Sequence, residues 1–213
     1  MKLIAKSLGN HIAKKSTEPV SANVIAYAIE ALLGEAIKIV AFLTIGWLLN
    51  CFIEMLLVVF TYIIVRITSG GPHCTSYMRC FAVGLLTFTP LALIATLATV
   101  KSLSVLVLIS SIVTAYGIYR WVPGEWHERK LRKTKEHYQN ATIITVSIIF
   151  VLTVSSLLTK DLSLLTLGMA MQLGLLWQFI NISPFGYKLI ALLDQFIFNI
   201  TNFQRGGSMH EKP

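Results

Sequence analysis

Charge is scarce in this chain. Only 13% of its 213 residues are Asp, Glu, Lys or Arg, against roughly 25% in an ordinary soluble domain. With 55% hydrophobic residues and a mean hydropathy of +0.70, this excludes a common soluble globule. It predicts an integral membrane protein with one domain over residues 1–213. Acidic residues are scarcer than basic ones, 10 against 18, giving a net charge of +8. The basic residues sit in short flanks, so they report topology and contact with anionic lipid. Few aromatics interleave them and no nucleic-acid-binding signature accompanies them, which argues against a nucleic-acid partner. Three cysteines cannot make an even disulfide framework, and reduced thiols facing the cytoplasm are expected. Residues 1–20 lack a continuous apolar core, so no cleavable signal is expected there.

What the chain does have is a series of apolar runs. Ile4, Leu8 and Ile12 recur at helical spacing among Lys2, Lys6, Lys14 and Lys15, predicting an interfacial helix within residues 1–19. Apolar segments follow at Val24–Leu49, Phe52–Val65, Phe81–Thr99, Leu103–Tyr119, Ala141–Leu158 and Leu162–Ile180. A span takes about 20 residues, so the second is short unless its polar exit is sunk below the surface. The last carries Gln172 and Gln178. Apolar positions 189, 192, 193, 196, 197, 200 and 203 then form one helical stripe in the tail, residues 185–213. The expected fold is all-α and polytopic. It has about six membrane helices arranged as hairpins, with amphipathic interfacial helices at both ends. One long span plus a re-entrant piece is the alternative for residues 24–66. The amino terminus and the loop at 120–140 are richest in Lys and Arg, which puts both in the cytoplasm. The loop at 66–80 then faces the same side.

The first span contains Glu30, Glu35 and Lys38. Charges within a span are costly and usually face the protein interior. Glu35 and Lys38 can pair at i,i+3, which is the plain role. The sharper one turns a carboxylate toward His73 and fixes its tautomer; Glu54 has a similar claim.

The segment Arg66-Ile-Thr-Ser-Gly-Gly-Pro-His-Cys-Thr-Ser-Tyr-Met-Arg-Cys80 is a polar island between two apolar runs. His73 and Cys80 are the parts of a base and nucleophile. On one continuous helix they would stand about 10.5 Å apart, too far for proton transfer. The chain must turn between them, and Gly70-Gly71-Pro72 allows it. Thr75 or Ser76 can then cap a helix that continues into Phe81 with Cys80 in its first turn or two, where the helix dipole and the cations Arg66 and Arg79, if near, favour a thiolate. The plain alternatives are an interfacial turn histidine and a small packing cysteine. His73, Cys74 and Cys80 fit no common zinc spacing, and no metal is expected.

Arg66, Gly71, His73 and Cys80, at this spacing and between apolar runs of this layout, resemble the AgrB family. These are membrane cysteine endopeptidases that mature bacterial quorum-sensing propeptides. The resemblance runs from about Val24 to about Pro184. It implies Cys80 as nucleophile and His73 as base, supported by Arg66 and Gly71, and it matches Glu30 and Lys38 to the family's first helix. Cys74 lies outside the matched pattern. The resemblance further implies a thioester on Cys80 that a propeptide cysteine resolves into a thiolactone, without nucleotide or other cofactor. The implied partners are an AgrD-like propeptide with an acidic carboxyl-terminal tail, the bilayer of a bacterial cell, and a second copy of the chain. Arg129, Lys130, Arg132 and Lys133 form a basic cluster that either anchors topology or attracts that acidic tail. Gln172 is a further candidate for substrate contact. Two other classes stand beside the peptidase. One is a peptide exporter with Glu30, Lys38, Gln172 and Gln178 along a pathway; the other is a non-catalytic membrane scaffold.

Overall fold

The computed structural model describes residues 2–15, 21–124 and 134–207. Among them the chain forms eight α-helices and no strand. It divides into two compact units, Met1–Thr44 and Ile45–Pro213.

The first unit holds α1, Lys2–Lys15, and most of α2, Ala22–Leu48. The Ser21 hydroxyl accepts from the Val24 amide at 3.3 Å at the start of α2. Within α2, Lys38 donates to Glu35 across one helical turn. Lys38 is buried, Glu35 is exposed and Glu30 is half-buried.

The second unit consists of α3 (Phe52–Ser69), α4 (Tyr77–Ala95), α5 (Val100–Trp121), α6 (Lys135–Thr159), α7 (Leu162–Ile182) and α8 (Pro184–Gly207). Five helices among the described residues, α3 to α7, are long and apolar enough to cross a membrane. The chain is thus an all-α polytopic membrane protein, and α2, the other expected span, is a 27-residue helix carrying three charges. Helix α4 begins at Tyr77 after Ser76, as the cap reading expects, whereas α6 begins at Lys135, earlier than the Ala141 that hydropathy predicts. The first turn of α6, Lys-Glu-His-Tyr, is polar, which helix geometry accepts and a hydropathy count rejects.

Helix α7 is the centre. It packs on α3, α4, α5, α6 and α8. More than half of its apolar length is buried, against a third or less for the other four spans. Gly174 permits this. A Cβ there would lie 2.5 Å from the Val58 carbonyl oxygen of α3, so the two backbones touch, as small residues allow in membrane bundles. Val65, Leu175, Phe179 and Ile182 form a core where α3 ends. The outward faces carry Phe60, Leu86, Ile112 and Val151, all exposed, which suits lipid as the surrounding solvent.

Short caps turn the chain between spans. Thr99 and Ser102 form a reciprocal capping box at α5. Asp161 accepts from Ser163 N at 2.8 Å and Leu164 N at 3.2 Å at α7. These amide bonds, Leu164's first, hold its carboxyl below the usual carboxylate range.

Candidate active site

The site grows from the end of α3. Gly70 has φ 76° and Gly71 φ 140°, angles that a side chain resists. Here the helix stops and the chain reverses. Three groups hold the reversal. The Arg66 guanidinium, in the last turn of α3, donates to Gly71 O at 3.3 Å and to Pro72 O. It also donates to the Tyr62 hydroxyl at 2.8 Å and lies over that ring, 5.5 Å from its centroid. From α7, the Gln178 side-chain amide donates to Ser69 Oγ at 2.8 Å and to Gly70 O at 2.7 Å. From the segment after α5, Gly124 N donates to Ser69 O at 2.7 Å. Gly71 is enclosed as a result. A Cβ on it would stand 3.0 Å from Arg66 Nη1 and 3.2 Å from Ile182 Cγ2.

Beyond the bend the loop runs to Ser76 and α4 begins. His73 is exposed on it, while Cys74 and Cys80 are half-buried. Cys80 enters the helix with its amide on Ser76 O at 2.9 Å, so it sits in the first turn. Cys74 lies close enough to Cys80 for the two thiols to interact. That interaction pushes the Cys74 thiol well above its ordinary value; burial and the charges of Cys80 and Asp194 add to the rise, and Arg79 opposes it. Cys74 therefore keeps its proton.

The loop is also tied to α8. Asp194, 7% exposed, accepts from Thr75 Oγ1 at 2.7 Å and Thr75 N at 3.3 Å. Arg79 Nε lies 3.3 Å from the other carboxylate oxygen. Arg79 also donates to Thr75 Oγ1 at 2.6 Å and lies over the Phe198 ring at 5.0 Å.

Of the residues expected from sequence, the structure brings Arg66 to Gly71 and Cys74 to Cys80. His73 adjoins Cys74 in the chain. Glu30 and Lys38 belong to the first unit. Gln172 stands apart from the bend, fully buried, accepting from Ser110 Oγ at 2.5 Å and donating to Thr153 Oγ1 at 3.0 Å. Arg129, Lys130, Arg132 and Lys133 lie outside the described residues. Gln178 had a sequence signal as a polar residue in a span, but its partners were not legible. Asp194 had only that of a single carboxylate on an amphipathic helix.

The family model for Accessory gene regulator B matches residues 1–182. The chain belongs to the AgrB family. An AgrB-like protein of Clostridium perfringens is 24% identical over 184 residues, covering 81% of this chain and 86% of the relative. No solved structure matches. Membership implies a part in the agr quorum-sensing system and accords with a multi-pass membrane protein. The match stops at Ile182, before α8.

Proposed function

We propose that this AgrB-family chain is a membrane cysteine endopeptidase that cleaves a signalling propeptide on Cys80 and supports its cyclisation. The observation that carries the reading is the arrangement of two thiols. A glycine bend lays Cys74 against Cys80 in the first turn of α4, with His73 exposed on the same short loop. The Cys80 thiolate attacks the scissile carbonyl. His73 takes the Cys80 proton and returns it to the leaving amine as the C–N bond breaks. Cys74 and the first amides of α4 stabilise charge on sulfur and on the oxyanion. A propeptide cysteine then attacks the thioester: one C–S bond forms, the Cys80 C–S bond breaks, and the propeptide thiol's proton passes to Cys80. Bond energies nearly balance, so no nucleotide is needed, and exclusion of water favours the ring over hydrolysis.

The substrate class is a propeptide with an acidic tail, drawn by Arg129, Lys130, Arg132 and Lys133 on the cytoplasmic side. The functional unit is a homodimer. A transport pathway is less well supported, because Gln172 and Gln178 both serve helix-to-helix bonds. The test is reconstituted cleavage of the cognate propeptide. Cys80→Ser should abolish it and His73→Ala should nearly do so, while Cys74→Ser slows it. Full cleavage by Cys80→Ser would sink the reading.

A further inference from the structure

Helix α8 lies beyond the residues that the family model matches, yet its Asp194 reaches the loop that carries the thiols. We propose that Asp194 is a positioning residue for the Cys80 site, clamping Thr75 and Arg79 so that the turn between Cys74 and Cys80 keeps its shape. This rests on the reading of Cys80 as nucleophile.

The geometry is that of a two-point clamp. Helix α4 starts at Tyr77 with Ser76 as its N-cap residue, and Ser76 makes no side-chain cap bond. Asp194 instead holds the residue just before the cap from another helix: one carboxylate oxygen takes both the amide and the hydroxyl of Thr75. The other oxygen faces Arg79 Nε at 3.3 Å, and the Asp194 main-chain oxygen accepts from Arg79 Nη1 at 3.4 Å. Arg79 returns to Thr75 Oγ1 at 2.6 Å, which closes a ring of three side chains. Thr75 follows Cys74 and Arg79 precedes Cys80. Both cysteines are therefore held by their chain neighbours. The carboxylate also places negative charge at the start of a helix, where it is favourable.

Helix α8 is built to deliver this group. Asp194 is its one acidic residue and, with Ile190, lies on the buried side, while Leu192, Phe196 and Ile200 are exposed. The helix turns apolar side chains outward and a carboxylate inward, as a lipid-facing element holding a polar site would.

The experiment uses the full chain in lipid nanodiscs, with site-resolved alkylation by iodoacetamide across pH 6–10 and propeptide cleavage as the two readouts. Asp194→Asn should lower kcat by roughly ten- to a hundredfold, as small misplacements of reacting groups do, with KM changed by less than about twofold, because no uniform binding contact is lost. It should also speed Cys74 labelling at the alkaline end of that range, because a charge opposing the thiolate is gone. Asp194→Glu should recover part of both. Thr75→Val keeps both charged partners but removes the hydroxyl that bonds each of them, and should move kcat the same way. It serves if Asp194→Asn fails to fold. Gln195→Ala, on the exposed side of α8, should change neither readout. An unshifted labelling profile with wild-type kcat in a folded Asp194→Asn chain overturns the proposal while Cys80→Ser remains inactive. Full cleavage by Cys80→Ser overturns the peptidase reading instead.

Discussion

The Gln178 side chain donates to the Gly70 carbonyl oxygen at 2.7 Å, so the most buried helix reaches the backbone of the bend at the end of α3. The same nitrogen donates to Ser69 Oγ. Gln178→Leu keeps roughly the volume and removes both bonds, leaving a buried carbonyl without its donor. A cost of about 1–3 kcal/mol is expected. Thermal unfolding in nanodiscs should show it as a lower Tm, and cleavage should fall more than stability alone explains, because the bend sets where Cys74 and Cys80 meet. An unchanged Tm would mean that the bend is held from elsewhere.

Gly71 makes a sharper demand. Its φ of 140° is rarely adopted by a side-chain-bearing residue, and the space is closed by Arg66 and Ile182. Gly71→Ala should cost on the order of 1–3 kcal/mol and displace the guanidinium. Gly71→Ala with normal stability and cleavage would show that this bend is not needed for the site.

The bend was legible in the sequence because its signals are local. A Gly-Gly-Pro run after an apolar helix stops that helix wherever it is packed. The start of α6 at Lys135 was not legible, because polar first turns look like loop to a hydropathy count. The partners of the loop were also hidden. Gln178 and Asp194 lie 108 and 119 residues along the chain from Gly70 and Thr75, the groups they bind. Periodicity says which face of a helix is apolar; it does not say which distant residue a single polar side chain will meet. The choice between thiols was legible only in part. Cys74 and Cys80 differ little in local sequence, and only the family spacing, which matches Cys80, distinguishes them before their surroundings are known.

The raised Cys74 thiol has a pH consequence. It stays protonated in the folded chain at pH values where an unfolded cysteine, ordinarily near pKa 8.5, would ionise. The folded state is thus the better proton holder. The stability that Cys74 contributes is fully present below the unfolded value and is lost as pH rises above it. Site-resolved alkylation at pH 7–8 should therefore label Cys80 well before Cys74, and denaturation should bring Cys74 to the rate of a free cysteine. Equal labelling of the two in the folded chain would mean that Cys74 does not hold the shared proton.

Gln172 offers a choice between substrate contact and structure. Its amide accepts from Ser110 on α5 and donates to Thr153 on α6, so one side chain on α7 joins three helices. It is completely buried. Inter-helix bonds of this kind contribute about 0.6–2 kcal/mol each in a membrane. Gln172→Met should therefore lower Tm and leave KM for the propeptide within about twofold, since a contact that binds ground and transition states alike would appear in KM. Ser110→Ala and Thr153→Ala should each lower Tm less than Gln172→Met, and combining either with it should add little, because the bonds are shared. A KM raised severalfold with an unaltered Tm would instead give Gln172 to the substrate and require an opening between α5, α6 and α7 during turnover.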